Sequence, residues 1–203
     1  MPDQPFNPLD KQNVAKTVVE ELLRKPCEPL PPATAFEGAG IYAIYYIGDF
    51  QYYAPIAEQN RDDRYSAPIY VGKAVPLGAR KGGFGLGETP GQVLYRRLVE
   101  HTRTIDEVEN LELGHFACRY LVVDDIWIPL AEQLLIEWFS PIWNTVIDGF
   151  GIHDPGKGRR KQQRSRWDTL HPGRAWVKKQ KPNTRSREKI LGELSHFLEK
   201  QKG

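Results

Sequence analysis

The stretch Gly38-Ala39-Gly40-Ile41-Tyr42-Ala43-Ile44-Tyr45-Tyr46-Ile47-Gly48 is β-branched and aromatic between glycines, the composition of a strand. After a polar segment rich in Gln, Asp and Arg, Pro68-Ile69-Tyr70-Val71-Gly72 gives a second, shorter strand. Residues 74–91 hold six glycines and read as a loop. Gln92 to Arg103 has helical character, and Gly114 to Val123 reads as a third strand with Phe116, Cys118, Tyr120 and Val122 on one face. Ile126 to Phe139 is a strongly apolar helix stopped at Ser140-Pro141. Working outward, Asp10 can cap a helix to about Arg24, and the stretch from Pro26 to Pro32 ends it as a linker. At the other end Ser186 can cap a helix carrying Ile190, Leu191, Leu194, Phe197 and Leu198. The order β-β-α-β-α, with a helix added at each end, predicts an α+β domain in which helices cover a small sheet.

At 203 residues, 40% hydrophobic and with a mean hydropathy of −0.54, the chain can bury a core as a soluble protein. No apolar run approaches the roughly 20 residues needed to span a bilayer, and Met1 to Lys11 has no apolar signal core. Cys27 and Cys118 lack metal-ligand spacing and are too few for a disulfide framework, so the cytoplasm is the expected compartment. Net charge is only +2, but residues 151–187 carry twelve Lys or Arg against Asp154 and Asp168. The remainder holds 16 basic and 24 acidic residues. Such polarity suits an anionic polymer approached by one face; a solvated surface loop is the competing reading.

Three groups of residues stand out for their chemistry. Ile128, Leu135, Ile136 and Phe139 all fall within about 60° of Glu132 on a helical wheel. A carboxylate so placed is costly to bury unless an internal Arg satisfies it or it coordinates a cation. Glu137, on the other side, is the better candidate for a solvated acid. Arg97 and His101 are four apart on one helix and project together, a fixed cation beside a group titrating near neutrality. Arg96 points about 100° away. Tyr42 and Tyr70 lie in the two short strands and either pack or present a hydroxyl.

Gly40-Ile41-Tyr42, followed 28 residues after Tyr42 by Tyr70-Val71-Gly72, resembles the signature of the GIY-YIG nuclease superfamily. Arg97, His101, Glu132 and Asn144 continue the family order, so the signature spans about residues 38–145. Tyr-Val-Gly in place of Tyr-Ile-Gly is a one-methylene departure. The segments Pro68 to Ala74, Trp143-Asn144, Asp148-Gly149-Phe150-Gly151 and Trp167-Asp168 through His171-Pro172-Gly173-Arg174 are similar to small Type II restriction endonucleases of the superfamily that cut GC-rich palindromes. The resemblance implies a mostly antiparallel three-stranded sheet flanked by helices. It implies one nuclease domain over 1–203, with an N-terminal helix and linker (1–37), the core (38–145), and a basic DNA-contacting segment with a C-terminal helix (146–203).

It also implies a mechanism. Glu132 holds one Mg²⁺, for which Mn²⁺ can substitute. Arg97 binds the phosphate, and a tyrosine, Tyr42 or Tyr70, is the general base, assisted by Lys73 or His101. Asn144 braces the site. Lys157, Arg159, Arg160, Arg164, Arg166 and Arg174 are the expected contacts to double-stranded DNA, and CCGCGG is the kind of site implied. A homodimer and a cognate DNA methyltransferase in the host are the expected partners, with the terminal helices as candidate dimer contacts. The competing functions are a repair- or intron-type nuclease of the superfamily and a DNA-binding module that has lost cleavage. The retained Glu132, Arg97 and His101 argue against the second.

Overall fold

A computed structural model describes residues 10–76, 90–152 and 162–201. Its centre is a four-stranded antiparallel sheet in the order β1-β4-β2-β3, with β1 at Glu28–Pro29, β2 at Gly40–Tyr46, β3 at Pro68–Ala74 and β4 at Phe116–Val122. Strand β2 pairs along its whole length with β4 and from Gly40 to Tyr45 with β3, and all seven of its residues are buried. Alternate side chains enter two different cores. Tyr42, Ile44 and Tyr46 meet one packed by α3 (Val93–Asp106), α5 (Ile142–Thr145), α6 (Arg166–Leu170) and α7 (Arg187–Gln201). Ile41, Ala43 and Tyr45 meet the other, beneath α1 (Lys11–Arg24) and α4 (Ile128–Phe139). Burial on both faces is why the strand reads as an unbroken apolar and aromatic run rather than an alternating one.

Several sequence expectations change. The sheet has four strands rather than three, because the proline-rich linker supplies β1, paired through Glu28↔Cys118 and Pro29↔Ala117. A two-residue strand has no periodicity to read, and its Pro is tolerated because β1 is an edge. The polar segment after β2 folds as a 3-10 turn at Gln51–Tyr53 and helix α2 (Ala54–Asn60), with Tyr53, Ile56 and Ala57 buried. The Asn60 side chain then bonds Tyr46 O and accepts from and donates to the backbone of Ala67, closing the connection into β3. The basic segment, expected as mostly loop, contains α6 and a 3-10 turn at Ala175–Lys179.

The ends of the helices follow their caps. Asp10 Oδ1 accepts from Gln12 N at 2.8 Å to start α1, and Ser140, at φ 45°, ends α4 just before Pro141. Most of the apolar stripe of each terminal helix is spent within its own subunit, Leu23 alone of the large ones staying exposed among the described residues of these helices. Val19 and Leu22 of α1 pack under the sheet, and Ile190, Leu191, Leu194 and Leu198 of α7 pack into the aromatic core. This displaces them as exposed dimer contacts. No helix among the described residues is long and apolar enough to cross a membrane.

The C-terminal half is fastened to the sheet by a buried relay of hydrogen bonds. Trp143 Nε1 donates to Tyr53 Oη (3.0 Å), which lies 2.6 Å from His171 Nε2, while His171 Nδ1 lies 2.9 Å from Asn110 Oδ1. Since the indole can only donate, the phenol donates onward to Nε2 and the Nδ1–H donates to Asn110. Enclosure, seconded by the positive charges of Arg187 and Arg174, pushes His171 down from the ordinary 6.5 to about 3. The unfolded chain therefore binds a proton that the folded chain refuses, and stability is present above pH 6.5 and lost as pH falls towards 3. Between pH 7 and pH 5 this imidazole should cost about 2 kcal/mol of folding stability. Urea unfolding at the two pH values checks it: the difference should shrink by about that amount in His171→Gln.

Candidate active site

Strand β3 lies at the edge of the sheet opposite β1, and the site is built around its middle. The register sets Tyr42 opposite Gly72 and Ile44 opposite Tyr70, so both tyrosines share a face. Their ring centroids are 6.2 Å apart. Gly72 is required by that register: a Cβ there would lie 2.6 Å from Cζ of Tyr42 and collide with its hydroxyl. Gly40 is required at the other end, where a Cβ would run into the Leu121 carbonyl. The two motif glycines thus serve close approach, one to a phenol and one to the neighbouring strand.

Helix α3 covers this face. Leu94, Leu98 and Ile105 anchor it in the core, which turns Arg97 and His101 towards the tyrosines. His101 is fully buried, with Nε2 2.6 Å from Tyr42 Oη. Its ring stacks on Phe150 at 4.6 Å and 15° and meets Tyr70 edge-on at 5.4 Å. Arg97 is held by Glu100 (2.9 Å) and by the Gly151 carbonyl (3.0 Å). Arg96 is exposed, as its helical phase requires. Burial pushes both phenols above their ordinary value, Tyr42 strongly so; the Glu132 charge acts in the same direction, and Arg97 opposes it. Both are neutral hydroxyls in the DNA-free protein.

Lys73 is opposite Ile41 and so leaves β3 on the other face, where its Nζ meets Glu132 Oε2 of α4 at 2.7 Å. Glu132 is paired, but by a lysine rather than an internal arginine, and its side chain keeps 18% exposure. Glu137 is exposed. The site therefore straddles an edge strand, tyrosines, His and Arg on one face and Lys–Glu on the other, with no further strand to separate them. Asn144 covers the edge: its Oδ1 accepts from Val71 N and its Nδ2 donates to Val71 O, both at 2.8 Å. One amide stands in for a neighbouring strand between Tyr70 and Gly72. Among the described residues no cluster of three or more His, Cys, Asp or Glu exists that could enclose a metal; Glu132 is the part-exposed carboxylate at this edge that could take a cation.

Of the residues expected to contact DNA, Lys157, Arg159 and Arg160 lie outside the described residues. Arg164 is half-buried, and Arg166 pairs with Glu193 at 3.3 Å. Arg174 must be withdrawn from that set. It is 2% exposed, paired with Asp168, and lies over the rings of Trp167 and Trp176. Its basic neighbours concealed this, because a one-dimensional charge run does not show which cation has a buried carboxylate six residues earlier. Phe150, Gly151 and Glu100 were not singled out from the sequence. The segment Asp148 to Gly151 carries part of the resemblance, but nothing in its sequence discloses a stacking partner for His101.

A sheet edge presenting two tyrosines, a buried His, a held Arg and a part-exposed Glu has the layout of a GIY-YIG nuclease. Comparison with protein-family models bears this out, matching the Eco29kI GIY-YIG domain over residues 34–198. The chain belongs to that family, which is one of restriction-type endonucleases. Comparison with curated proteins gave no match.

Gly72→Ala should cost about 1–3 kcal/mol of stability through overpacking. By displacing the Tyr42 hydroxyl, it should also slow DNA cleavage by roughly 100-fold. Gly114→Ala, where an added Cβ meets nothing within 4 Å, should leave the cleavage rate unchanged in the same assay.

Proposed function

We propose that this chain is a Type II endonuclease that hydrolyses double-stranded DNA at a GC-rich palindrome such as CCGCGG, with Tyr42 as general base and one divalent cation at Glu132. The observation that carries the reading is the 2.6 Å contact between Tyr42 Oη and His101 Nε2. A phenol whose pKa is raised by burial is a poor base alone, but not when its own proton has somewhere to go. The attacking water gives a proton to Tyr42 Oη as the phenol proton passes to Nε2 of His101. The water oxygen bonds phosphorus, a phosphorus–oxygen ester bond breaks, and the departing alkoxide takes a proton from solvent water. Tyr70 hydrogen-bonds Tyr42 and Arg97 rather than an imidazole. Its hydroxyl beside Arg97 suits it to orient water or phosphate. Arg97, fixed by Glu100 and Gly151 O, holds the phosphate by charge-assisted hydrogen bonds.

A single part-exposed carboxylate suits a hard cation that keeps most of its waters, hence Mg²⁺ or Mn²⁺ rather than zinc. When bound, that cation neutralises charge building on the phosphate oxygens. Lys73 must then share or cede the carboxylate it holds. One such carboxylate serves one strand, so two cuts in a palindrome call for two chains related by a two-fold axis. A host methyltransferase of the same specificity would protect the host's own sites.

Glu132→Ala should lower cleavage of supercoiled plasmid by ~10²–10³-fold or more while retaining specific duplex binding. Chelation by EDTA should mimic it, and Glu137→Ala should cut normally. Discrete fragments from the wild type, and their loss in Glu132→Ala, are the expected gel result. Nonspecific nicking by the wild type would count against the Type II reading, and persistent cutting by Glu132→Ala against the site.

A further inference from the structure

We infer that the short parallel pairing of Gln162–Arg164 with Gln180–Asn183 is the base-reading element of this chain, entering the major groove beside the cleavage site with Gln162 and Gln163 on the base edges. The inference rests on the proposed DNA-cleaving function. The two segments are joined as a ribbon: Arg164 N donates to Lys181 O (2.9 Å), Lys181 N to Gln162 O (3.1 Å), and the Asn183 side chain to Arg164 O (2.8 Å). The major groove of DNA admits an element of this width, and ribbons read bases in several folds.

The ribbon forms one wall of a groove of about 360 Å³, whose lining includes Asp148 and Ile152. These two residues flank Phe150 and Gly151, which hold His101 and Arg97. A duplex gripped at the catalytic arginine therefore meets the groove through the same five-residue loop.

The chemistry of the groove favours bases over phosphates. Two of its cations are engaged, Arg166 and Arg185 both pairing with Glu193, and the Asp168 carboxylate is taken by Arg174. A phosphate site needs uncompensated charge. What the groove offers instead is amides: the side chains of Gln162 and Gln163 are exposed and make no hydrogen bond among the described residues. Glutamine pairs in bidentate fashion with adenine and bonds other base edges singly, and arginine pairs with guanine O6 and N7. Arg164, next along the ribbon, has no carboxylate partner among the described residues, and its Nε is enclosed without an acceptor. That unmet donor marks where a ligand rich in acceptors would be stabilised.

The test uses the full chain and a pool of duplexes randomised through the cleavage site, with the cut ends sequenced. Gln162→Ala, Gln163→Ala and the double variant alter exposed side chains and leave the backbone pairing intact. At least one should lose roughly tenfold or more of the discrimination at one position of each half-site. Cutting of the best site should fall towards that of sites altered at that position, while the slope of log K against log [salt] stays as in the wild type. A uniform loss across all sequences with a shallower slope would make these residues phosphate contacts and overturn the inference. So would an unchanged preference at every position. A wild-type chain that cuts no duplex would sink the proposed function itself, a different outcome from either of these.

Discussion

Strand β2 has no solvent face, and that constraint organises the molecule. Both sets of its side chains must be covered, so helices are needed above and below a sheet only four strands wide. The same burial fixes register, because a slip by one residue would exchange the two cores and turn Tyr42 away from His101. With register fixed, Gly72 falls opposite Tyr42 and leaves room for its hydroxyl. The position of the phenol relative to α3 is thus a by-product of packing along an entire strand, which gives it a rigidity that a loop would not supply.

The chain forms the same Tyr–His contact twice, at 2.6 Å each time, between Tyr42 and His101 and between Tyr53 and His171. The surroundings divide their roles. Around Tyr53 every polar atom has an internal partner in sequence, from Trp143 through to Asn110, and the arrangement ties chain to chain. Around Tyr42 the neighbours are an arginine held by a backbone carbonyl and a part-exposed carboxylate at a sheet edge. A pairing of residue types therefore does not define chemistry; the charges set around it do.

Much of this was legible in the sequence where a pattern had enough length. Long elements such as α1, α3 and α4 carry several turns of periodicity, and Glu132 stood out because its wheel position conflicted with its charge. Arg97 and His101 could be paired by spacing alone. What escaped was short or tertiary. Strand β1 is two residues of a proline-rich linker, α2 hides in a polar segment whose few apolar residues are the buried ones, and the Asn144 bonds to Val71 span 73 residues. Lys73 adjoined the motif, but that it leaves β3 on the opposite face from the tyrosines follows from strand alternation only once the pairing is known. Arg174 shows the reverse failure, a basic residue read as surface that is sealed between two tryptophans.

The ion pair between Lys73 and Glu132 bears on how this protein is made rather than on how it works. In small metal-stapled domains the ligands repel one another or stand desolvated until the ion arrives, so assembly waits for it. Here the lone carboxylate already has a resident ammonium, and the charge is balanced from within the chain. Folding is thereby uncoupled from cation supply. On the proposed reading of Glu132 as the metal ligand, the polypeptide can reach its native shape in a metal-poor compartment, with cation availability left to govern turnover.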